Sequence, residues 1–167
     1  MPLVEINDVD ELQAINEALS GDYILGNDID AAATSGWNSN TGFIPLGNYG
    51  TRFTGTFDGD GYVITDLFID RSASYQGLFG YINTGTEIKN VGVVDVNITG
   101  NYYVGGLIGY NYAGTITDCY STGSVSGGNY IGGLIGYDDA GTVTDCYSTG
   151  SVSGNEVVGG LIGYNYD

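Results

Sequence analysis

The sequence predicts an all-β domain, a short right-handed parallel β-helix of about 27 residues per coil with a capping helix at its N-terminal end. Three observations lead there. GGLIGYNYAGTITDCYSTGSVSG, from Gly105 to Gly127, returns almost unchanged from Gly132 to Gly154, and 20 of 27 positions match when Val104 is aligned with Ile131. The chain holds 30 glycines without a collagen period, and 15 tyrosines among many Val, Ile and Thr, a composition of strands and tight turns. A unit of 27 residues accommodates three short strands and three turns, whereas helical repeats need a 3.6-residue apolar stripe and propeller blades need four strands.

The chain's 167 residues fit one domain. We divide it into residues 1–52, an N-terminal cap with a short helix and leader strands, and residues 53–167, the coils. In the cap, Asp8 is placed to open a helix with Glu11 three residues on. Leu12, Ile15 and Leu19 share one face, and Gly21 is the expected stop. The apolar stripe of so short a helix needs a partner, and the open end of a strand stack supplies one. YILGNDIDA (Tyr23 to Ala31) follows, then a Ser/Asn/Gly-rich loop with the single tryptophan, Trp37. FIPLGNYGTRFTGTFDGDGYVITDLFID (Phe43 to Asp70) reads as short strands between Gly/Asp turns.

From Gly77 the repeat dominates. GLFGY at Gly77 answers GLIGY at Gly106, Gly133 and Gly160, with steps of 29, 27 and 27. The two extra residues of the first copy are expected at Glu87, in a turn, and within VGVVDVNITG. In a β-helix each residue lies over its counterpart about 4.8 Å away. This predicts ladders of like residues: Leu107 on Leu134 on Leu161, and Tyr110 on Tyr137 on Tyr164. Leu107, Ile108, Ile116 and Val125 with their counterparts form the expected core, because a single coil cannot bury its own apolar side. Gly105-Gly106 and Gly132-Gly133 mark corners, for positive φ or for close approach between coils. Gly114, Gly123 and Gly127 mark the others.

These residues resemble the GLUG repeat, named for its G-L-small apolar-G core and found in large bacterial and archaeal surface proteins, some of them IgA-specific peptidases. DELQAINEALSGDYILGNDID followed by FTGTFDGDGYVITDLFI is similar to the segment that precedes such arrays. The resemblance implies a right-handed parallel β-helix and a role in cell-surface adhesion or in displaying other domains. The peptidase activity of some family members resides in separate domains.

Charge excludes whole classes of partner. Arg52, Arg71 and Lys89 face 20 carboxylates, a net charge of −17 that repels phosphate backbones and anionic lipid. We therefore expect no nucleic-acid partner. No apolar run reaches bilayer-spanning length, so no membrane insertion is expected, and the chain reads as an extracellular or cell-surface piece of a larger secreted protein. Expected partners are carbohydrate or a host or cell-surface protein, bound on a tyrosine-lined face. Tyr110, Tyr137 and Tyr164 continue a ladder from Tyr81, and Tyr120 and Tyr147 form another; corner packing is the alternative role for both. A second kind of association is end-to-end pairing through the final coil, GGLIGYNYD, whose strand edge has no cap.

Cys119 and Cys146, 27 apart, are expected to stack as a buried ladder below Val91, with a disulfide as the alternative. Asp58 and Asp60 lie in a Gly/Asp turn and are also the calcium candidates, although they lack the ligand order of a known calcium loop. Asn27, Asp28 and Asp30 invite the same two readings. Asp118 and Asp145 are predicted to stack as like charges. Arg52, Arg71, Asp58, Asp66 and Asp70 offer the pieces of a polysaccharide-cleaving groove. The chain has no histidine, and it shows no Ser-His pair and no nucleotide loop. No cofactor and no enzymatic activity are expected.

Overall fold

A computed structural model describes residues 2–166. Its strands pair in parallel throughout, in four sheets that wind into a β-solenoid of about four turns. Six strands form the first sheet in the order Val4–Ile6, Asp22–Leu25, Thr56–Asp58, Glu87–Lys89, Thr115–Thr117 and Thr142–Thr144. A second runs from Ile29–Asp30 through Val63–Thr65, Gly92–Thr99 and Tyr120–Ser126 to Tyr147–Ser148; Phe68–Asp70 pairs beside the third of these and Ser151–Ser153 beside the fourth. The third stacks Phe79–Ile82, Ile108–Tyr112, Ile135–Asp139 and Ile162–Tyr166. The fourth stacks Tyr102–Gly105, Asn129–Gly132 and Glu156–Gly159.

The 27-residue register holds as predicted. Leu107 N–H donates to Leu134 O at 3.0 Å, and Leu134 N–H to Leu161 O at 2.9 Å. Ile108, Ile135 and Ile162 pair in line, as do Tyr110, Tyr137 and Tyr164. Leu107 and Ile108 are both fully buried, so the two apolar alternations of GLIG both serve the core. Ile116 and Val125 join them. Core composition changes along the axis. Phe53, Phe57 and Phe79 cluster near the cap with ring centroids 4.9 and 5.3 Å apart, and Leu, Ile and Val fill the later coils.

The extra residues of the first copy are absorbed where the strands are interrupted. Glu87 opens a strand and pairs with Thr115, so the added residue lies before it, in the turn after Ile82, and not at Glu87 itself. The other produces the register shift between Ser121 and Gly123 opposite Gly92–Thr99. It lies inside VGVVDVNITG as predicted.

The helix spans Val9–Ala14 and tightens into a 3-10 turn at Ile15–Glu17. Asp8 Oδ1 accepts from Glu11 N–H at 2.8 Å, and Glu11 Oε2 reaches back to Asn7 N–H at 2.7 Å. This is a capping box displaced by one residue. Gly21 is not its stop. The helical conformation ends at Ala18, φ −147°; the Tyr23 ring takes the space a side chain would need at Gly21, and Gly55 packs on the Gly21 backbone, where a Cβ at Gly55 would strike Gly21 O. Leu12 and Ile15 lie wholly within the continuous core, and Leu19 packs against it, so the helix closes the stack as expected.

Of the two roles expected for the glycine corners, the structure shows close approach. Gly105, Gly106, Gly132 and Gly133 do not adopt positive φ; they serve close approach, since a Cβ at Gly105 would strike Ile108 O and Leu134 O, and one at Gly106 would strike Ser121 Oγ and Gly133 O. The left-handed positions fall on other residues, and they too form ladders. Gly61, Asn90, Asp118 and Asp145 form one, with φ of 85°, 53°, 52° and 52°, and Gly85, Ala113 and Ala140 form another, with φ of 81°, 54° and 54°. The final strand, Ile162–Tyr166, is the outer strand of its sheet among the described residues; Asp167, the last residue of the predicted bare edge, lies outside them.

Candidate functional site

The third sheet carries on its outer side the column predicted from the repeat. Tyr81, Tyr110, Tyr137 and Tyr164 stack with centroid separations of 4.6, 4.8 and 5.0 Å and interplanar angles of 13°, 7° and 27°. A second column, absent from the sequence reading, stands beside it. Tyr75, Tyr103 and Tyr130 stack at 5.0 and 5.2 Å, tilted by 20° and 9°. The columns interlock edge to face: Tyr103 meets Tyr110 at 5.3 Å and 76° and Tyr137 at 5.5 Å and 82°, and Tyr130 meets Tyr137 at 5.5 Å and 74°. Both geometries are the ones aromatic quadrupoles favour.

The second column is positioned by backbone strain. Tyr75, Tyr103 and Tyr130 have φ of 64°, 58° and 61°, and their counterpart in the next coil, Val157, has 55°. Bulky side chains seldom occupy the left-handed region, at a cost of about 1–2 kcal/mol each. The conformation swings each ring toward the first column. Its signal in the sequence was a tyrosine two residues before each glycine corner, at spacings of 28 and 27.

This packing decides what the tyrosines offer. Tyr110 and Tyr137 have both ring faces covered by other tyrosines, so stacking a sugar on them requires displacing a neighbour. Burial, and then the hydrogen bond and charge of Asp139, push the Tyr110 hydroxyl far above its ordinary pKa; it donates to Asp139 Oδ2 at 2.9 Å. At the cap end the Arg52 guanidinium lies 4.5 Å from the Tyr81 centroid and donates to Asn83 Oδ1 at 3.0 Å. Tyr120 and Tyr147 stack at 4.9 Å and 3°, and the Tyr120 ring occupies the space a side chain would take at Gly92. Tyr147 and Tyr164 are exposed, at 52% and 39%.

Behind the first column the interior holds a polar pair. Asn111 and Asp138, both buried, stack in register, and Asn111 Nδ2 donates to Asp138 Oδ1 at 2.6 Å. Asn111 Oδ1 also accepts from Gly114 N–H at 2.9 Å, which ties the pair to the corner. Ile82 is their counterpart one coil earlier.

The two cysteines stack below Val91 as predicted, and both are free. Cys119 is fully buried and its thiol is pushed up, by hydrogen bonding to Cys146 and by desolvation. Cys146 is partly exposed, and the hydrogen bond from Cys119 brings it down to about 7. We assign the proton of the pair to the buried Cys119.

The carboxylates singled out in the sequence are engaged in turns. Asp58 Oδ1 accepts from Asp60 N–H at 2.9 Å and Asn90 Nδ2 at 3.0 Å, and Lys89 Nζ lies 3.7 Å from Asp58 Oδ2. Asp60 is exposed with φ 50°. Asn27 donates to Asn7, Asp28 accepts from Val63 N–H, and Asp30 accepts from Ala32 N–H. Asp118 and Asp145 occupy the left-handed corner ladder, where both are exposed. Among the described residues no three His, Cys, Asp or Glu side chains converge as a metal site. The supposed groove residues are dispersed. Asp58 lies in the first sheet and Asp70 in the second. Arg71 donates to Phe43 O and Gly42 O, Arg52 caps the tyrosine column, and Asp66 turns a corner with φ 58°.

In-register coils, ladders of identical residues and a helix-closed end define a solenoid repeat protein. Its repeats are GLUG repeats: the GLUG motif matches residues 100–126 and 127–153. It is 41% identical over 127 residues, 72% of its length, to Halomucin of Haloquadratum walsbyi, and 38% identical over 80 residues, 42% of its length, to a protein of Evansella cellulosilytica named as a Gly-rich membrane protein. The chain spans 1% and 9% of these two relatives. Among solved structures it resembles a Bacteroides ovatus protein assigned as an immunoglobulin A1 protease, with a TM-score of 0.67 and 24% identity over 96% of this chain and 61% of that one. That likeness concerns the fold. No helix among the described residues is long and apolar enough to cross a membrane.

Proposed function

We propose that the chain is a rigid, non-catalytic module of a cell-surface adhesin. The observation that carries this reading is the interlocked pair of tyrosine columns on an in-register β-solenoid. Seven rings in mutual contact brace successive coils against bending, so the module holds a fixed length and orientation. The names of its relatives, one a membrane protein, fit a place at a surface. The net charge of −17 keeps such a face hydrated and soluble in a salty exterior medium.

The test couples the chain to beads and measures their retention on cells and on immobilised cell-wall polysaccharide. Retention above bare beads is expected, with no product released from neutral or acidic glycans with or without calcium. Beads no better retained than bare ones, or turnover of any glycan, would overturn the reading.

A further inference from the structure

The repeated coils are closely alike, and the groove lies where the repeat is absent. Between the helix and the segment 37–51 lies an open groove of about 740 Å³, within the range of small-ligand sites. Its apolar lining includes Leu19, Ile44 and Trp37, the only tryptophan. Trp37 is half-buried and packs against the core, so its position is fixed while part of the indole faces the groove.

The polar lining divides into two groups. Gln13 and Asn16 are spent on holding the loop: Gln13 exchanges hydrogen bonds with Ile44 N–H and O at 2.8 and 2.9 Å, and Asn16 Oδ1 accepts from Gly47 N–H at 3.1 Å. Others are left available. Asn48 uses its Oδ1 for Gly50 and Thr51 N–H, which leaves its amide donors, and Asn38 uses its amide for Gly42 O, which leaves its carbonyl. Asp10 and Glu17, on the helix side, have exposed carboxylates that make no bond within the described residues.

The loop wall is also strained. Asn38, Ser39 and Asn40 are three consecutive non-glycine residues in the left-handed region, with φ of 51°, 57° and 64°. Such conformations persist only where surrounding bonds enforce them, and they concentrate at ligand clamps. Here the enforcing bonds are Gly42 N–H to Trp37 O, Asn38 Nδ2 to Gly42 O and Thr41 Oγ1 to Asn38 O. They hold the strained turn directly after the indole.

A fixed indole, a donor amide, an acceptor carbonyl and two carboxylates together match the surface of a sugar ring, which has an apolar C–H face and a rim of hydroxyls. We propose that this groove binds a neutral oligosaccharide, with one pyranose lying on Trp37 and its hydroxyls donating to Asp10 and Glu17. The two carboxylates exclude uronic and sulfated sugars by repulsion. Unlike the stacked tyrosines, Trp37 belongs to no ring pair among the described residues, and it lines the groove while half-buried. The assignment gives the adhesin reading a ligand and rests on it.

Trp37 reports on its own site, because no other tryptophan contributes to the emission. The intact chain is titrated with cellotriose, mannotriose, chitotriose and trigalacturonate. At least one neutral trisaccharide is expected to give a saturable shift in emission, half-complete at about 1 mM or below, and trigalacturonate none. Glu17→Gln and Asn48→Ala, both at exposed positions, are expected to weaken binding by about tenfold each, measured by calorimetry. Tyr147→Ala, away from the groove, should leave binding unchanged. Silence of Trp37 toward all the neutral sugars, or equal binding of trigalacturonate, overturns the proposal. Beads that adhere while Trp37 stays silent sink the groove and leave the adhesin reading standing.

Discussion

The Tyr137 ring lies 4.8 Å from that of Tyr110 and 7° from parallel to it, one coil apart in a chain whose neighbouring rungs bond at the backbone. Tyr137 also touches Tyr164 at 5.0 Å and receives the edges of Tyr103 and Tyr130. Four rings lose a partner with it. We expect Tyr137→Ala to destabilise the fold by about 3 kcal/mol, and Tyr147→Ala, at one exposed end of a two-ring stack, by less than about 1.5 kcal/mol. Urea unfolding of the two variants measures the contrast. Equal costs would show that the columns do not brace the coils.

The aliphatic ladder gives a second measure. Leu134 is fully buried between Leu107 and Leu161, with rungs fixed above and below that limit collapse into a vacated space. Leu134→Ala is expected to cost about 2–5 kcal/mol in the same unfolding experiment. Leu161→Ala, at a partly exposed position, should cost clearly less.

Alkali should unfold the protein through its tyrosines. Burial raises the pKa of Tyr23, Tyr75, Tyr81, Tyr103, Tyr110, Tyr120 and Tyr137, with Asp139 adding to the effect at Tyr110. A raised folded value means the unfolded chain loses these protons first. Their stabilising contribution is therefore complete below about pH 10, the unfolded value, and declines as pH climbs above it. Phenolate absorbance should lag behind that of free tyrosine and then rise together with loss of β circular dichroism. Smooth titration with the fold intact would contradict this.

The thiols should react in order. Cys146, brought to about 7 by the hydrogen bond from Cys119, is partly exposed, while Cys119 is fully buried. Iodoacetamide at pH 7.5 is expected to modify Cys146 first, located by peptide mass. Cys119→Ala removes the bond and should slow that reaction severalfold, as the thiol returns toward its usual value near 8.5.

The left-handed corner at Ala140 offers a gain. Its φ is 54°, and its counterpart two coils earlier, Gly85, shows that glycine fits the ladder. Ala140→Gly should stabilise the protein by about 0.5–1 kcal/mol, the relief of strain exceeding the entropy glycine adds to the unfolded chain. A drop in stability would mean that the corner is not strained.

The repeat period made the register legible, and with it the stacking of Leu107 on Leu134, of Tyr110 on Tyr137 and of Cys119 on Cys146. Identical residues at a fixed spacing carry that information directly. The helix start was legible for a similar reason, since Asp8 and Glu11 act over one turn. Its end was not, because Gly21 makes room for the Tyr23 ring and its backbone is packed on by Gly55, a residue 34 positions away. The second tyrosine column also escaped the sequence, although Tyr103 and Tyr130 lie one repeat apart. Column membership depends on a left-handed backbone that is uncommon for tyrosine, and the neighbouring glycines drew the expectation of positive φ to themselves. The groove beside Trp37 depends on Gln13 meeting Ile44, and no local pattern announces that meeting.

A chain so self-similar faces a hazard that varied sequences avoid: one coil can be threaded onto the wrong neighbour and still find matching leucines. Two positions count the turns. Gly92 alone in its ladder leaves the hollow that the Tyr120 ring fills, and Asn111 meets Asp138 inside while Ile82 stands at that place in the coil before. Threaded one turn early, Asp138 would face Ile82 across a dry interior, and the misassembled form would be penalised from within.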